Sequence, residues 1–299
     1  GTQVSACWII GAGPSLKALR PEKRRAIETV PAGRMAMNLA GRGDDGQGWL
    51  LKPNMWTCYD TTARFSRSIF NDPSIAKFVR AARYADLIPE GTEKVCDCPN
   101  TWFIDSEYRK YANFFDPTAD AVNDSLDSFI QALDVAFLLG YREVYLIGTE
   151  LRITPSPAQV ARAEEHGVSY PTLMEDGRAS DRLLHFAEAY AKARNMTLKE
   201  ACDDLERCDR EDQYAFPERK AFSDAVRCDK HYFDRVQYLR LARRNLSLNG
   251  LKIVSCTLGS RMNTWFEYRE PEQVVAEMLE RYGDPRQEDS KGRYTQRPY

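Results

Sequence analysis

Apolar positions gather along the chain into short runs, and between them apolar residues recur at three- and four-residue steps. Six runs are bounded by turn formers and predict strands: SACWII (5–10), RMAMNL (34–39), MWTCY (55–59), KVCDC (94–98), EVYLIG (143–148) and KIVSCT (252–257). The clearest predicted helix spans 125–139, where Leu126, Phe129, Ile130, Leu133 and Phe137 form one apolar stripe and Gly140 stops it. A second helix starts near Ser180 with DRLLHFAEAYAKAR, and a third covers YFDRVQYLRLARRNL, closed by Asn249-Gly250. Strands alternating with helices predict an α/β class: a doubly wound, mostly parallel, six-stranded Rossmann-like sheet.

Two segments break this rhythm. Residues 152–179 follow a strand end and carry three prolines with little apolar pattern, so they are a candidate lid; residues 196–230 form a charged, cysteine-containing helical insertion. Residues 1–282 therefore read as one Rossmann-like catalytic domain, and 283–299 as a flexible tail with little to bury.

Composition narrows the function classes. In 299 residues, 42 Lys and Arg are set against 44 Asp and Glu, a net charge of −2, which excludes a bulk polycation but leaves room for a local basic groove. The segments YLRLARR and KGRYTQRPY mix basic and aromatic residues, yet solvated charge is the favoured reading there and nucleic acid the less favoured partner. No long apolar run and no basic-then-apolar leader is visible, so the expectation is a cytoplasmic protein without a membrane span. Eight cysteines in such a chain read as reduced thiols or metal ligands rather than a disulfide framework.

The chemistry begins in VSACWIIGAGPSLKAL. Gly11-Ala12-Gly13 ends an apolar run where a phosphate-binding turn would sit, but Leu16 replaces the third glycine of G-x-G-x-x-G. Near the second strand end stands Asn38 rather than an acidic residue for ribose hydroxyls, which disfavours NAD. Gly11 and Gly13 permit a tight turn, Pro14 suits a first helical turn, and the amides behind it are placed to receive phosphate. A plain strand-to-helix turn is the alternative.

GAGPSLK resembles the opening loop of the small Rossmann-like bacterial sialyltransferases and of the archaeal-type 6-hydroxymethylpterin diphosphokinase family. SLDSFIQALDVAFLLGYREVYLIGTEL (125–151) is similar to their helix, LGY, strand and G-x-D run, and GLKIVSCTLGSRMNTWFEY (250–268) to their last strand and its serine-containing turn. The resemblance implies a nucleotide held by Gly11, Ala12, Gly13, Pro14, Ser15 and Leu16, with Asn38 and Ser128 facing the donor. It also implies that Gly148 and Thr149 lie in the G-x-D turn and that Thr257 and Ser260 flank the base or ribose. The aspartate of that turn is Glu150 here, Asp60 replaces a family asparagine, and His166 and Tyr170 lie in the segment that carries the sialyltransferase histidine.

The function implied is transfer of a sugar from a CMP- or UDP-linked donor to a hydroxyl acceptor. Lys17 or Arg261 would then serve the phosphates, and Asp60, Glu150, His166 or Tyr170 the acceptor proton. Magnesium-dependent pyrophosphoryl transfer is the alternative, with Asp60 and Glu150 as a cation pair at two strand ends. Further alternatives are a non-catalytic nucleotide-binding protein and a glycosyltransferase acting on nucleic-acid bases. Cys202, Cys208, Cys228 and His231 offer a ligand set for structural zinc, against free thiols and a surface histidine.

Overall fold

Every residue from Ala6 to Ile10 is buried, a run without polar alternation, and this is what a central parallel strand covered on both faces requires. The computed structural model describes residues 5–42, 48–116, 118, 120–209, 213–215, 218 and 220–284. Along the first half of the chain lie β1 (Ala6–Ile10), α1 (Ser15–Ala18), α2 (Pro21–Thr29), β2 (Gly33–Met37), β3 (Met55–Cys58), α3 (Arg67–Asn71), β4 (Ala76–Arg80), β5 (Thr101–Ile104), β6 (Ser106–Glu107), β7 (Val122–Asn123) and α4 (Ser128–Leu138). There follow β8 (Glu143–Ile147), α5 (Pro157–Glu164), β9 (Thr172–Leu173), β10 (Ala179–Ser180), α6 (Leu183–Arg194), α7 (Leu198–Glu206), α8 (Phe222–Leu248), β11 (Lys252–Ser255), β12 (Glu267–Tyr268) and α9 (Pro271–Tyr282).

Among the described residues eight strands form one sheet in the order β12-β11-β8-β1-β2-β3-β4-β5, and every neighbouring pair is parallel. The chain runs outward from β1 through β5, then returns to place β8 on the other side of β1, with Ile10 opposite Ile147. The strand order therefore reverses between β1 and β8, and their carboxyl ends define the crevice where such sheets bind ligands. Trp8, Ile10 and Leu16 join a core with the buried side chains of α2 and α9, while Cys7 and Ile9 face α4 and the second half of α8. A third core, built on Phe186, Tyr190, Leu205 and Phe222, unites α5, α6, α7 and the start of α8 as a helical unit. No helix of the described residues is long and apolar enough to cross a membrane.

The sheet has eight strands rather than six, and the differences have physical causes. KVCDC is not a strand: Val95–Asp97 is a turn of 3-10 helix, with the Cys98 N–H on Val95 O at 3.2 Å, so Cys96 and Cys98 do not share a strand face. β4 escapes the apolar pattern because of Lys77, yet Lys77 is wholly buried and its Nζ donates to Asp72 O and Ile75 O at 2.8 and 2.9 Å. Two backbone acceptors satisfy the ammonium that the pattern would place in water. β5 is an edge strand none of whose residues is buried, and β12 is only two residues long, so neither gives an apolar run.

The predicted helix at 125–139 begins at Ser128 because Asp127 caps it, its Oδ1 accepting the Phe129 and Ile130 N–H groups at 2.8 and 3.1 Å. Gly140 ends it as expected, at φ 94°. The second helix begins at Leu183 rather than near Ser180, and the third begins ten residues earlier than its apolar stripe, at Phe222. Much of 196–230 is thus ordered helix, α7 and the first part of α8, and the segment 152–179 contains α5. From residue 285 onward the tail lies outside the described residues.

Candidate active site

Where β1 and β8 end, the turns that leave them meet. The Gly11 N–H donates to Ile147 O at 2.7 Å and the Gly13 N–H to Gly148 O at 2.8 Å. A Cβ on Gly11 would stand 2.2 Å from Gly148 O, and one on Gly13 would stand 1.4 Å from Glu150 Oε2. Gly11 is therefore required by the approach of a neighbouring backbone, and Gly13 by the carboxylate of Glu150. That carboxylate accepts the Ser15 N–H on Oε1 at 2.7 Å.

This corrects the expected phosphate cradle. The N–H groups of Leu16 and Lys17 also have partners within the turn, on Gly13 O and Pro14 O at 3.2 and 3.0 Å. A carboxylate thus stands beside this loop where a phosphate would need a positive field. The glycine turn is one wall of the site, with the sequence-predicted Ala12 and Pro14 on its surface, and Ser15, Leu16 and Lys17 continue away into α1.

Above the switch point opens a cleft of about 750 Å³ between the sheet and the helical unit. Gly11, Gly13, Asn38, Asp60, Ser128 and Glu150 line it, as do Gly148 and Thr149, so the sequence-predicted residues from five strand or helix ends do converge. Asn38, just past β2, and Ser128, at the start of α4, form a relay: the Tyr59 N–H donates to Ser128 Oγ at 2.8 Å, and Ser128 Oγ donates to Asn38 Oδ1 at 2.9 Å. With its oxygen fixed, the Asn38 side chain turns its NH₂ toward other partners. Asn38, Leu126 and Leu151 all line the cleft in the left-handed region, at φ 53°, 60° and 50°. Such backbone strain in non-glycine residues is typical of functional walls.

The most chemically equipped pair is one the sequence did not bring together. His231, offered there as a zinc ligand, lines the cleft from α8, and its Nε2 is 2.6 Å from Asp127 Oδ2. Asp127 is held from behind by the two α4 amides on its other oxygen, so the carboxylate is fixed before it meets the ring. In a neutral ring, a carboxylate acceptor places the proton on Nε2 and leaves Nδ1 as the basic nitrogen. The signals in the sequence were an aspartate immediately before an apolar-periodic helix and a histidine at a position that only the longer α8 brings over the sheet.

Cations line the same cleft. Arg64 pairs with Asp60 at 3.1 Å, Arg152 with Asp181 at 3.3 Å and Lys220 with Glu218 at 2.6 Å; Arg227 pairs with Asp224. Arg235, one turn beyond His231, donates from Nη1 to Ser125 O at 2.8 Å, and its Nε is buried without a hydrogen-bond partner among the described residues. The rings of Tyr59, Tyr214 and Tyr232 complete the lining, with the Arg80 guanidinium 4.4 Å from the Tyr59 centroid.

Several expected site residues are elsewhere. His166 Nε2 contacts Arg194 Nη1 at 3.1 Å, and Tyr170 donates to Asp181 O at 2.8 Å with its phenol pushed up to about 12 by burial; both belong to the helical unit and neither lines the cleft. Thr257 Oγ1 accepts the Thr149 N–H at 3.1 Å and Ser260 Oγ donates to Thr149 O at 2.6 Å, so both brace the β8 turn from behind. Arg261 is locked in the interior: Nη2 meets Asp229 Oδ1 at 2.9 Å and Nε meets Asp181 Oδ2 at 3.2 Å. Asp229, itself fully buried, also accepts the N–H groups of Ile153 and Leu183 at 2.9 and 3.0 Å. This network joins the turn after β8 to α6 and α8 and is architectural.

The four zinc candidates do not assemble. His231 is engaged with Asp127, Cys202 is buried in α7, Cys208 follows that helix and Cys228 reaches the cleft with its thiol pushed up by burial. Among the described residues no three His, Cys, Asp or Glu side chains are grouped to hold a metal ion, and Asp60 and Glu150 are engaged separately, with Arg64 and the Ser15 N–H. No protein-family model, curated protein or solved structure matches this chain.

Proposed function

We propose that the chain is a glycosyltransferase that moves a sugar from a nucleotide-sugar donor to a hydroxyl acceptor, with the His231–Asp127 pair as its general base. The observation that carries this reading is that pair, held at 2.6 Å on the wall of a cleft at the sheet's switch point. Asp127 orients the ring and stabilises the imidazolium that forms, and His231 Nδ1 takes the proton of the acceptor hydroxyl as its oxygen attacks the anomeric carbon. The bond from that carbon to the leaving phosphate breaks with its electron pair on the phosphate oxygen, and the charge falls among Arg152, Arg235 and Lys220. Asn38, fixed by Ser128, offers its NH₂ to the donor. The separate engagement of Asp60 and Glu150 supports this reading over a shared magnesium site.

The test is a nucleotide-sugar panel read by thermal unfolding and by release of free nucleotide. Donor binding raises the unfolding midpoint by mass action. His231→Ala retains that shift and loses about 10²-fold or more of the nucleotide release. Absence of any nucleotide-dependent shift in the unsubstituted protein, or full turnover by His231→Ala, refutes the proposal.

A further inference from the structure

Away from the cleft, the second half of α8 carries a surface that nothing above uses. From Arg235 to Phe266 the sequence contains no aspartate or glutamate, in a chain where acids outnumber bases overall. Arg240, Arg243 and Arg244 share one face of the helix by their three- and four-residue spacing and make no ion pair among the described residues. Two of them lie over aromatic rings: the Arg240 guanidinium is 4.8 Å from the Trp265 centroid and that of Arg243 is 5.9 Å from Phe266. Stacking orients a guanidinium without consuming its N–H donors, so these cations are set in place while their hydrogen-bonding capacity stays open.

On the other flank of α8, about 150° around the helix from the arginines, packs the loop 108–113. Asn245 accepts the Phe115 N–H at 2.9 Å and donates to Ala112 O at 3.0 Å, and the Tyr238 hydroxyl donates to Arg109 O at 2.9 Å. This pinned loop presents Tyr108 and Tyr111 to solvent, 58% and 43% exposed. The nearest carboxylates in sequence are already engaged, Asp234 with Lys230 at 2.7 Å and Glu267 with Lys252 at 2.9 Å. Open arginines flanked by rigidly carried aromatic rings are the combination that tracks a phosphate backbone and stacks its bases.

We propose that the exposed crest of α8, from the arginines on one flank to the tyrosine loop on the other, forms a docking surface for single-stranded nucleic acid. Arginines 240, 243 and 244 contact phosphates, and Tyr108 and Tyr111 stack bases. Arg244 is thirteen residues from His231, about 20 Å along the helix at 1.5 Å per residue. The surface binds independently of any transfer reaction.

The test is fluorescence anisotropy of the full chain with a labelled single-stranded oligonucleotide of mixed sequence, titrated between about 50 and about 200 mM salt. The unsubstituted protein binds with a salt-dependent affinity. The charge reversal R240E/R243E/R244E weakens binding at least about tenfold at the lower salt and makes the log–log salt slope shallower by about 2, three contacts at roughly 0.7 each. The reversal R20E/K199E/R207E, equal in charge change but remote, leaves the affinity within about twofold. Tyr108→Ala with Tyr111→Ala weakens single-strand binding about tenfold without altering the slope. R243Q/R244Q, confined to the two exposed positions, gives a readout even if the triple variant fails to fold. The proposal is overturned by an absence of binding, by equal loss in the remote control, by tyrosine variants that bind normally, or by a surface that captures phosphatidylserine vesicles but no oligonucleotide.

Discussion

Replacing Gly13 with alanine places a methyl group where Glu150 already is, 1.4 Å from Oε2. The atom in the way is the end of a flexible side chain, so the backbone can stay and the carboxylate must swing. Swinging breaks the 2.7 Å bond that Oε1 accepts from the Ser15 N–H, a charge-assisted bond whose loss costs about 1.5–3 kcal/mol. Glu150→Ala loses the same bond but leaves the space empty. In that background Gly13→Ala has room for its methyl and reduces the freedom of the unfolded chain, so its cost falls to about zero or becomes a gain of up to about 1 kcal/mol. The two substitutions are therefore coupled by about 2 kcal/mol, measurable as a double-mutant cycle in urea denaturation. Gly11→Ala serves as the contrast, because its methyl meets the backbone oxygen of Gly148 at 2.2 Å and shortening Glu150 cannot relieve it. Additivity of Gly13→Ala and Glu150→Ala within about 0.5 kcal/mol would refute the reasoning that Gly13 exists to admit a carboxylate.

Other outcomes follow from the same structure. Asp127→Asn keeps an oxygen to cap α4 yet no longer fixes the proton on His231 Nε2, so stability changes by less than about 1 kcal/mol while donor turnover drops at least about 10²-fold, read by nucleotide release. Asp229→Ala leaves Arg261 buried without its carboxylate and orphans the Ile153 and Leu183 N–H groups; a loss of about 3–5 kcal/mol in chemical denaturation is expected, and under about 1 kcal/mol would show the network to be incidental. Burial pushes the Asp134 carboxyl up to about 6, despite the Asn123 N–H it accepts and Arg109 nearby. A folded pKa above the unfolded value of about 4 means this group's stabilisation is full below about pH 4 and is lost as pH rises through about 6, up to about 3 kcal/mol in all; Asp134→Asn removes that pH dependence from urea midpoints.

The sequence disclosed the sheet's middle and missed its margins. Strands buried on both faces, such as Ala6–Ile10 and Glu143–Ile147, appear as uninterrupted apolar runs, but Lys77 in β4 is satisfied by backbone oxygens that only the folded chain supplies. In the cleft, Asn38, Asp60, Ser128 and Glu150 are residues that the resemblance of the surrounding motifs pointed to, and each sits at the end of an element. Thr257, Ser260 and Arg261 sit at an equally good strand end, yet they point into the protein, a distinction of direction that position along a chain does not carry. His231 and Asp127 lie 104 residues apart and become partners only through the packing of α8 across the sheet.

Helix α8 belongs to two cores at once: Phe222, Ala225 and Val226 pack into the helical unit, whereas Val236, Leu239 and Leu246 pack against the sheet. His231 falls between these two groups, at the seam, and Asp127 belongs to the helix that lies on the sheet. The proposed base is consequently a joint as well as a reagent. Any motion that lifted the helical unit from the sheet would strain or part the 2.6 Å contact, and reseating would restore it, so the ring orientation that the proposed base depends on exists only while the cleft is assembled.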